Sequence, residues 1–136
     1  MVKNWLQWFN GRRSDSRLGR NDLGADGETL AESELLKRGY QIIERNYRCA
    51  LGKIDIVASD AGEIIIVEVK TRSSRSHGDP QDSVTRKKAS KLIALGMNYL
   101  SERQIADAQW RIDVVTVLVE VAGRPTIDVI PNAVQN

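Results

Sequence analysis

Little in this sequence points to covalent cross-links, cysteine-bound metals or a membrane anchor. The 136 residues include one cysteine, Cys49, which excludes an intrachain disulfide and a cysteine-rich metal site. No apolar run approaches the roughly 20 residues that a membrane-spanning helix needs. The N-terminus lacks the apolar segment and small-residue cleavage site of a secretory signal, and no internal repeat is present. These absences predict one cytoplasmic domain without a membrane span.

Charge is small in total but unevenly distributed. The net charge is +2, yet residues 1–20 hold five Lys or Arg against one Asp, beside a short Trp and Phe cluster. We interpret residues 1–20 as a mobile basic and aromatic N-terminal arm, followed by a single domain at residues 21–136. Residues 37–91 hold twelve basic against seven acidic residues. A nucleic-acid partner is therefore suggested by a local basic patch and not by the total charge.

Apolar periodicity and turn residues predict the element order αβββαββ. The first helix is expected over residues 28–38, with Asp26 as its N-cap and Gly39 at its end. This order is typical of a mixed α/β domain with a central sheet. The other expected elements are strands at 40–47, 53–58 and 63–71, a helix at 83–100, and strands at 111–120 and 126–130.

The third predicted strand ends in an unexpected pair of charges. Its apolar run at residues 64–67 continues into Glu68, Val69 and Lys70. Two residues apart on a strand, Glu68 and Lys70 point to the same face, and ionised groups are seldom buried without partners. We therefore expect a site at this end of the strand.

A hairpin between the second and third strands brings another carboxylate to the same face. If residues 59–62 form its loop, Asp55 and Glu68 become diagonal neighbours, about 7 to 8 Å apart at the backbone, and Lys53 lies opposite Glu68. An odd-numbered loop would move Asp55 to the other face. The interpretation therefore requires an even-numbered connection or a compensating bulge.

Paired carboxylates favour a divalent cation. Two carboxylates about 4 Å apart repel by roughly 4 kcal/mol at an effective dielectric near 20, and oxygen-bound Mg²⁺ or Mn²⁺ removes that cost. The Val69 carbonyl can add a ligand, and Glu28 can approach from the first helix. Lys70 would then lie where it can orient a water or neutralise charge on a phosphate.

Purely structural ion pairs are the alternative interpretation of these charges. Glu68 would then pair with Lys53, or Asp55 with Lys70, and each pair would contribute about 0 to 1 kcal/mol if exposed. Basic residues near the site are candidate phosphate contacts, although a solvated helix face explains Lys88 equally well. The candidate nucleic-acid-binding residues are Lys53, Arg72, Arg75, Arg86, Lys87 and Lys88.

The motifs, taken in order, resemble the PD-(D/E)XK nuclease superfamily. More specifically, the chain is similar to the YraN-like family of small bacterial proteins, which is related in fold to archaeal Holliday-junction resolvases. The resemblance covers most of residues 24–119. It is carried by GE at 27–28 with Ala31, by the stretch 39–48, by GKID at 52–55, by VEVKTR at 67–72 and by RIDVV at 111–115.

The resemblance implies a restriction-endonuclease-like mixed sheet flanked by helices, and a metal-dependent endonuclease that acts on DNA. It places Glu28, Asp55 and Glu68 at metal positions and Lys70 as the catalytic lysine, with Mg²⁺ or Mn²⁺ as the cofactor. Branched or single-stranded DNA and repair intermediates are the implied substrates, and the analogy with resolvases suggests a homodimer. Asp113 matches a family position, but the sequence assigns it no role.

Lys53 departs from the family pattern, which usually has Gly-Glu-Ile-Asp where this chain has Gly-Lys-Ile-Asp. Its ammonium could compete with a metal, or it could swing outward and contact substrate phosphate. Three hypotheses follow: a DNA endonuclease, a nucleic-acid-binding protein with the nuclease fold but little or no cleavage, and a protein-interaction factor that uses the N-terminal arm.

Overall fold

The described residues form one mixed sheet with a helix on each face. The computed structural model describes residues 23–73, 85–120 and 123–134; the predicted arm at 1–20 and Arg75 lie outside these ranges. The element order is αβββαββ, as predicted. The elements are α1 (Leu23–Lys37), β1 (Gln41–Cys49), β2 (Gly52–Asp60), β3 (Glu63–Ser73), α2 (Arg86–Glu102), β4 (Trp110–Val119) and β5 (Thr126–Ile130).

The strands lie in the sheet in their sequence order, β1-β2-β3-β4-β5. β3 and β4 are parallel, and the other neighbours are antiparallel. Parallel neighbours need a crossover connection, and this one contains α2. The prediction of a mixed sheet flanked by helices is confirmed.

Strand β3 contributes to the hydrophobic core on both faces of the sheet. Even-numbered residues from Ile64 pack toward α2, and odd-numbered residues from Ile65 pack toward α1. The pairing of β3 with β4 continues without a shift as far as Ser73. Because side chains alternate along a strand, Glu68 and Lys70 lie on the α2 face.

The turn between β2 and β3 is shorter than predicted. Asp60 pairs with Glu63, so Ala61 and Gly62 alone form the turn, with φ angles of 49° and 86°. A two-residue turn with two left-handed residues matches the twist of the strands. The β2–β3 ladder therefore includes Ser59 and Asp60, which were predicted to lie in the loop. The register differs from the predicted one by two residues. Because this shift is even, Asp55 stays on the same face of the sheet as Glu68.

Both helices begin at positions other than those predicted. α1 begins at Leu23, so Asp26 lies inside the helix and is not its N-cap. α2 begins at Arg86 and is capped by Thr85, whose side chain accepts a hydrogen bond from the Lys88 N–H. Neither helix in the described ranges is long and apolar enough to cross a membrane.

Candidate active site

Strands β2 and β3 separate beyond the pair formed by Ile56 and Val67. That pair is the end of their ladder, although β2 extends back to Gly52 beside β1 and β3 extends on to Ser73 beside β4. The Asp55 side chain fills the opening, since its Oδ2 accepts a hydrogen bond from the Val69 N–H at 2.8 Å. The Asp55 carboxylate thus accepts a hydrogen bond that a backbone carbonyl of β2 would accept in a continuous ladder. This bond holds the Asp55 side chain next to β3.

Side chains from both faces of the sheet meet at this opening. Glu28 comes from α1, where it continues the buried stripe of Ala31 and Leu35, and it is itself largely buried. Glu68 comes from β3 on the α2 face. Both carboxylates and Asp55 form ion pairs with lysines that reach the same opening. We call Glu28, Asp55 and Glu68 the carboxylate cluster.

Three lysines lie against the carboxylate cluster. Lys53 Nζ is 3.3 Å from Asp55 Oδ1 and 3.8 Å from Glu28 Oε2, so its ammonium bridges the two acids. Lys70 Nζ is 3.3 Å from Glu68 Oε1. Lys88 Nζ, from the first turn of α2, is 3.5 Å from that same oxygen. Among the described residues, three lysines are therefore paired with these three acids.

These contacts revise the predicted ion pairs. Lys53 was expected opposite Glu68, but the β2–β3 ladder ends at Ile56, and Lys53 instead contacts Asp55 on its own strand and Glu28 on α1. Asp55 was the alternative partner of Lys70, which contacts Glu68 instead. The sequence left open whether the Lys53 ammonium would reach an acid of the site or swing outward; in the structure it contacts Asp55 and Glu28.

A close contact between α1 and β3 brings Glu28 to the opening. A Cβ atom on Gly27 would lie 1.9 Å from Thr71 Oγ1 and 3.0 Å from Thr71 Cβ. Glycine is therefore required for α1 to approach β3 at this distance. The neighbouring residue, Glu28, is placed against Lys53 as a result.

The charge state of Glu68 reflects opposing influences. Burial raises the pKa of Glu68, and the negative charge of Asp55 raises it further. The ammonium of Lys88 lowers this pKa, and that of Lys53 does so more weakly. The two raising influences prevail, so the ionised form of Glu68 depends on its lysine neighbours.

The carboxylate cluster suits a hard divalent cation in chemistry but is occupied by ammonium groups. Carboxylate oxygens and a backbone carbonyl such as that of Val69 are ligands that Mg²⁺ and Mn²⁺ prefer. Across the described ranges, no three His, Cys, Asp or Glu side chains are grouped closely enough to hold a metal ion as they stand. Lys53, which bridges two of the acids, would have to move for a cation to bind.

The remaining described candidates for phosphate contact lie near the end of β3 and at the start of α2. Arg72 is half-buried near the end of β3, and Arg86 and Lys87 are exposed in the first turn of α2. Lys88 was also predicted to contact phosphate, and the structure places it on Glu68. Sequence reasoning missed this contact, because no local pattern shows which way α2 faces after the crossover.

Asp113 has a structural role in a buried polar network. It accepts hydrogen bonds from Tyr40 Oη at 2.7 Å and from the Asn132 N–H at 2.8 Å, and it binds Arg111 Nε at 2.9 Å. Arg111 also reaches Glu63 at 3.0 Å, and its hydrogen bond with Asp113 raises the pKa of Arg111. The network joins the β2–β3 hairpin to β4. Its sequence signal is the spacing R-x-D, which places both side chains on one face of a strand.

Fold and site together define a small mixed α/β domain with an acid and lysine site where two strands separate. The family described as "Uncharacterised protein family UPF0102" matches residues 27–117, a range that contains the carboxylate cluster and its three lysines. The chain belongs to this family, which confirms the resemblance to YraN-like proteins.

Relatives in several bacteria match most of the chain. The UPF0102 protein of Pelobacter propionicus is 43% identical over 122 residues, which cover 88% of this chain and 87% of the relative. That of Moorella thermoacetica is 48% identical over 98 residues, or 72% and 82% of the two chains. A solved structure, "The structure of Pyrococcus Furiosus SfsA in complex with Ca2+", is 18% identical, covers 80% of this chain and 62% of that chain, and has a TM-score of 0.40.

Proposed function

We propose that this protein is a Mg²⁺- or Mn²⁺-dependent endonuclease that hydrolyses phosphodiester bonds in DNA. The observation that carries the proposal is that three largely buried carboxylates, on Glu28, Asp55 and Glu68, are each paired with a lysine where β2 and β3 separate, with Lys70 on Glu68. Ionised groups are costly to bury, so these enclosed acids and lysines favour a chemical use over a purely structural one. Family membership adds support through the motifs that the sequence shares with PD-(D/E)XK nucleases.

Each residue has a distinct part in this proposal. Glu28, Asp55 and Glu68 would hold the cation, with the Val69 carbonyl as a further ligand. A divalent cation bound there supplies a Lewis acid that lowers the pKa of a water and neutralises phosphate charge. Lys70 would orient the attacking water and stabilise the charge that develops on the phosphate oxygens. Asp55 is held for this purpose by its hydrogen bond from the Val69 N–H.

Phosphates of the substrate would be bound by basic residues around the opening. Arg72, Arg86 and Lys87 are the described candidates, and Arg75 is a further candidate from the sequence. Such contacts fix the position of a nucleic acid without reading its sequence. They agree with a substrate that is recognised by its backbone or its shape, such as a branched or single-stranded DNA.

A cleavage assay tests the proposal. Single-stranded, duplex, flap and four-way-junction DNAs are incubated with the protein and Mg²⁺ or Mn²⁺. Wild type is expected to cleave at least one of them, and Asp55→Ala and Lys70→Ala are expected to abolish cleavage. Asp107→Ala, an exposed position in the α2–β4 connection, is the matched control and should retain activity. Cleavage that persists in both site variants contradicts the assigned roles.

A second candidate is a DNA-binding protein that has the nuclease fold but does not cleave. The specific observation in its favour is the ammonium of Lys53, which bridges Asp55 and Glu28 in the position that a cation needs. The same assay separates the two functions. DNA binding by wild type without cleavage of any substrate, in either metal, would favour this second function.

A further inference from the structure

Two of the three site lysines reach the carboxylate cluster from its rim. The side chains of Lys53 and Lys88 are 38% and 33% exposed, whereas that of Lys70 is 19% exposed. The carboxylates are more enclosed, with side-chain exposures of 12% for Glu28, 10% for Asp55 and 13% for Glu68. Lys53 and Lys88, which we call the rim lysines, can therefore move into solvent while Lys70 stays in place.

We propose that the rim lysines are exchangeable counter-ions. When a divalent cation binds the carboxylate cluster, it releases both ammonium groups, which then bind phosphates of the nucleic acid. This inference rests on the proposed function, and it assigns to Lys53 and Lys88 a phosphate-binding role that depends on the metal.

Electrostatics and exposure together favour the exchange for Lys53 and Lys88, whereas Lys70, 3.3 Å from Glu68 Oε1, is more enclosed than either. Asp55, Glu28 and Glu68, the residues that would hold a cation, are the residues that the rim lysines contact at 3.3 to 3.8 Å. A divalent cation and an ammonium repel each other strongly at such distances. Each lysine has a flexible four-carbon side chain, so it can turn outward without moving the backbone.

The released ammonium groups would face the same side as the other basic residues. Lys88 lies in the first turn of α2 beside Arg86 and Lys87, which are exposed. Lys53 lies on the part of β2 beyond its ladder with β3, at the mouth of the opening. A phosphate backbone laid across the opening would thus replace the carboxylates as the partner of both lysines.

The exchange predicts that metal and nucleic acid strengthen each other's binding. Such coupling is reciprocal, because each ligand changes the affinity of the other by the same factor. An ordinary basic surface behaves in the opposite way, since added cations compete for phosphates and weaken DNA binding. Whether a divalent cation tightens or weakens DNA binding therefore distinguishes the lysine exchange from an ordinary basic surface.

The experiment measures the affinity for a fluorescently labelled DNA by anisotropy, at constant ionic strength, with either a chelator or Ca²⁺. Each sample is sized afterward to verify that the DNA is intact. In wild type, Ca²⁺ is expected to tighten DNA binding several-fold. In the double variant Lys53→Met/Lys88→Met, this gain is expected to disappear. The double variant Lys53→Arg/Lys88→Arg, which keeps both charges, is expected to retain part of it.

Lys87→Met is the matched control in the same turn of α2. It removes one exposed charge and should weaken DNA binding by the same factor with and without Ca²⁺. Circular dichroism melts establish that each variant is folded, and the Arg variants provide the test if the Met variants are not. Weaker DNA binding of wild type in Ca²⁺, or an undiminished gain in the Met double variant, would overturn the inference.

Failure of this inference differs from failure of the proposed function. If wild type cleaves DNA in Mg²⁺ or Mn²⁺ but Ca²⁺ does not tighten its DNA binding, the proposed lysine exchange is wrong. The proposed nuclease function is then still supported. If calorimetry detects no Ca²⁺ binding and anisotropy detects no DNA binding, both proposals fall. Coupling without cleavage would support the exchange in a protein that binds DNA but does not cut it.

Discussion

Lys53 bears directly on the use of this site, because it contacts two of the three carboxylates. An acid at this position would add a cation ligand, whereas an ammonium adds a competitor. The sequence alone identified Lys53 as a departure from the family pattern. Only the structure shows that its ammonium bridges Asp55 and Glu28.

Replacing Lys53 should strengthen metal binding. We expect Lys53→Gln to raise the affinity for Mn²⁺, because the competing charge is removed, and Lys53→Glu to raise it by about tenfold or more, equivalent to about 1.4 kcal/mol. Isothermal titration calorimetry measures both. Lys37→Glu, an exposed position at the end of α1, makes the same charge change away from the site and should have little effect. Equal affinities for wild type and Lys53→Glu would show that Lys53 does not compete.

Glu68 should make stability depend on pH. Its folded-state pKa is raised by burial and by Asp55, so the folded protein holds the proton more tightly than the unfolded chain does. The contribution of Glu68 to stability is therefore greatest below the ordinary Glu pKa of about 4.3 and falls as the pH rises through the raised value.

Glutamine resembles the protonated form of Glu68, which gives this reasoning a direct test. In the presence of a chelator, we expect Glu68→Gln to have a higher denaturation midpoint than wild type at pH 7, and the difference to shrink toward pH 4. Urea unfolding followed by circular dichroism measures both midpoints. A less stable Glu68→Gln protein at pH 7 would mean that the lysine contacts outweigh burial.

At the scale of helices and strands, the local sequence was sufficient for the order of elements but not for their registers and ends. β3 was recognisable because its apolar run is long and its charges come at one end. The turn at Ala61 was not recognisable, because alanine rarely adopts a left-handed conformation and its residue type does not indicate one. The start of α1 was predicted wrongly because aspartate is a preferred N-cap residue, whereas Asp26 lies inside the helix.

Part of the site was also predictable. The spacing of Glu68 and Lys70 placed them on one face, and the even parity of the hairpin placed Asp55 beside them. The contact of Lys88 with Glu68 depends on how α2 packs after the crossover, which no short-range pattern encodes. The approach of α1 likewise depends on a contact between residues 44 positions apart, Gly27 and Thr71.

Gly27→Ala should therefore disturb α1 as a whole. Alanine favours a helix more than glycine by about 1 kcal/mol, but its methyl group would clash with Thr71. Overpacking of this kind typically costs about 1 to 3 kcal/mol, so we expect a net loss of stability and weaker metal binding through the displaced Glu28. Thermal melts and calorimetry measure the two effects.

A second substitution and a control test whether the clash with Thr71 causes the loss of stability in Gly27→Ala. Thr71→Ala removes the atom of closest approach and should restore part of the stability in the double variant. Ser33→Ala, at an exposed position of α1, should change stability by at most about 0.5 kcal/mol. A Gly27→Ala protein as stable as wild type would mean that α1 can shift without cost.

Across the whole molecule, positive charge is divided between the N-terminal 20 residues and the surroundings of the site. The family match begins at residue 27, and the three carboxylates and their lysines lie within residues 28–88. The proposed chemistry is thus assigned to residues within the family match, and we expect it not to require residues 1–20.

Deletion of residues 1–20 tests this assignment. We expect the shortened protein to retain its Ca²⁺ affinity and its cleavage of the preferred DNA, although loss of five basic residues can reduce the salt dependence of DNA binding. Titrations at several salt concentrations measure that dependence. If cleavage disappears while the circular dichroism melt is unchanged, the N-terminal residues take part in catalysis or substrate binding.

The two-residue turn between β2 and β3 also restricts how this family can diverge. Asp55 and Glu68 are separated by the hairpin, and one added residue within it would turn the following strand over, exchanging its core side chains with its charged ones. Insertions and deletions at the tip are therefore expected in pairs, or together with a bulge. The reach of this hairpin can therefore change only in steps, or with a bulge, that return both carboxylates to the same opening.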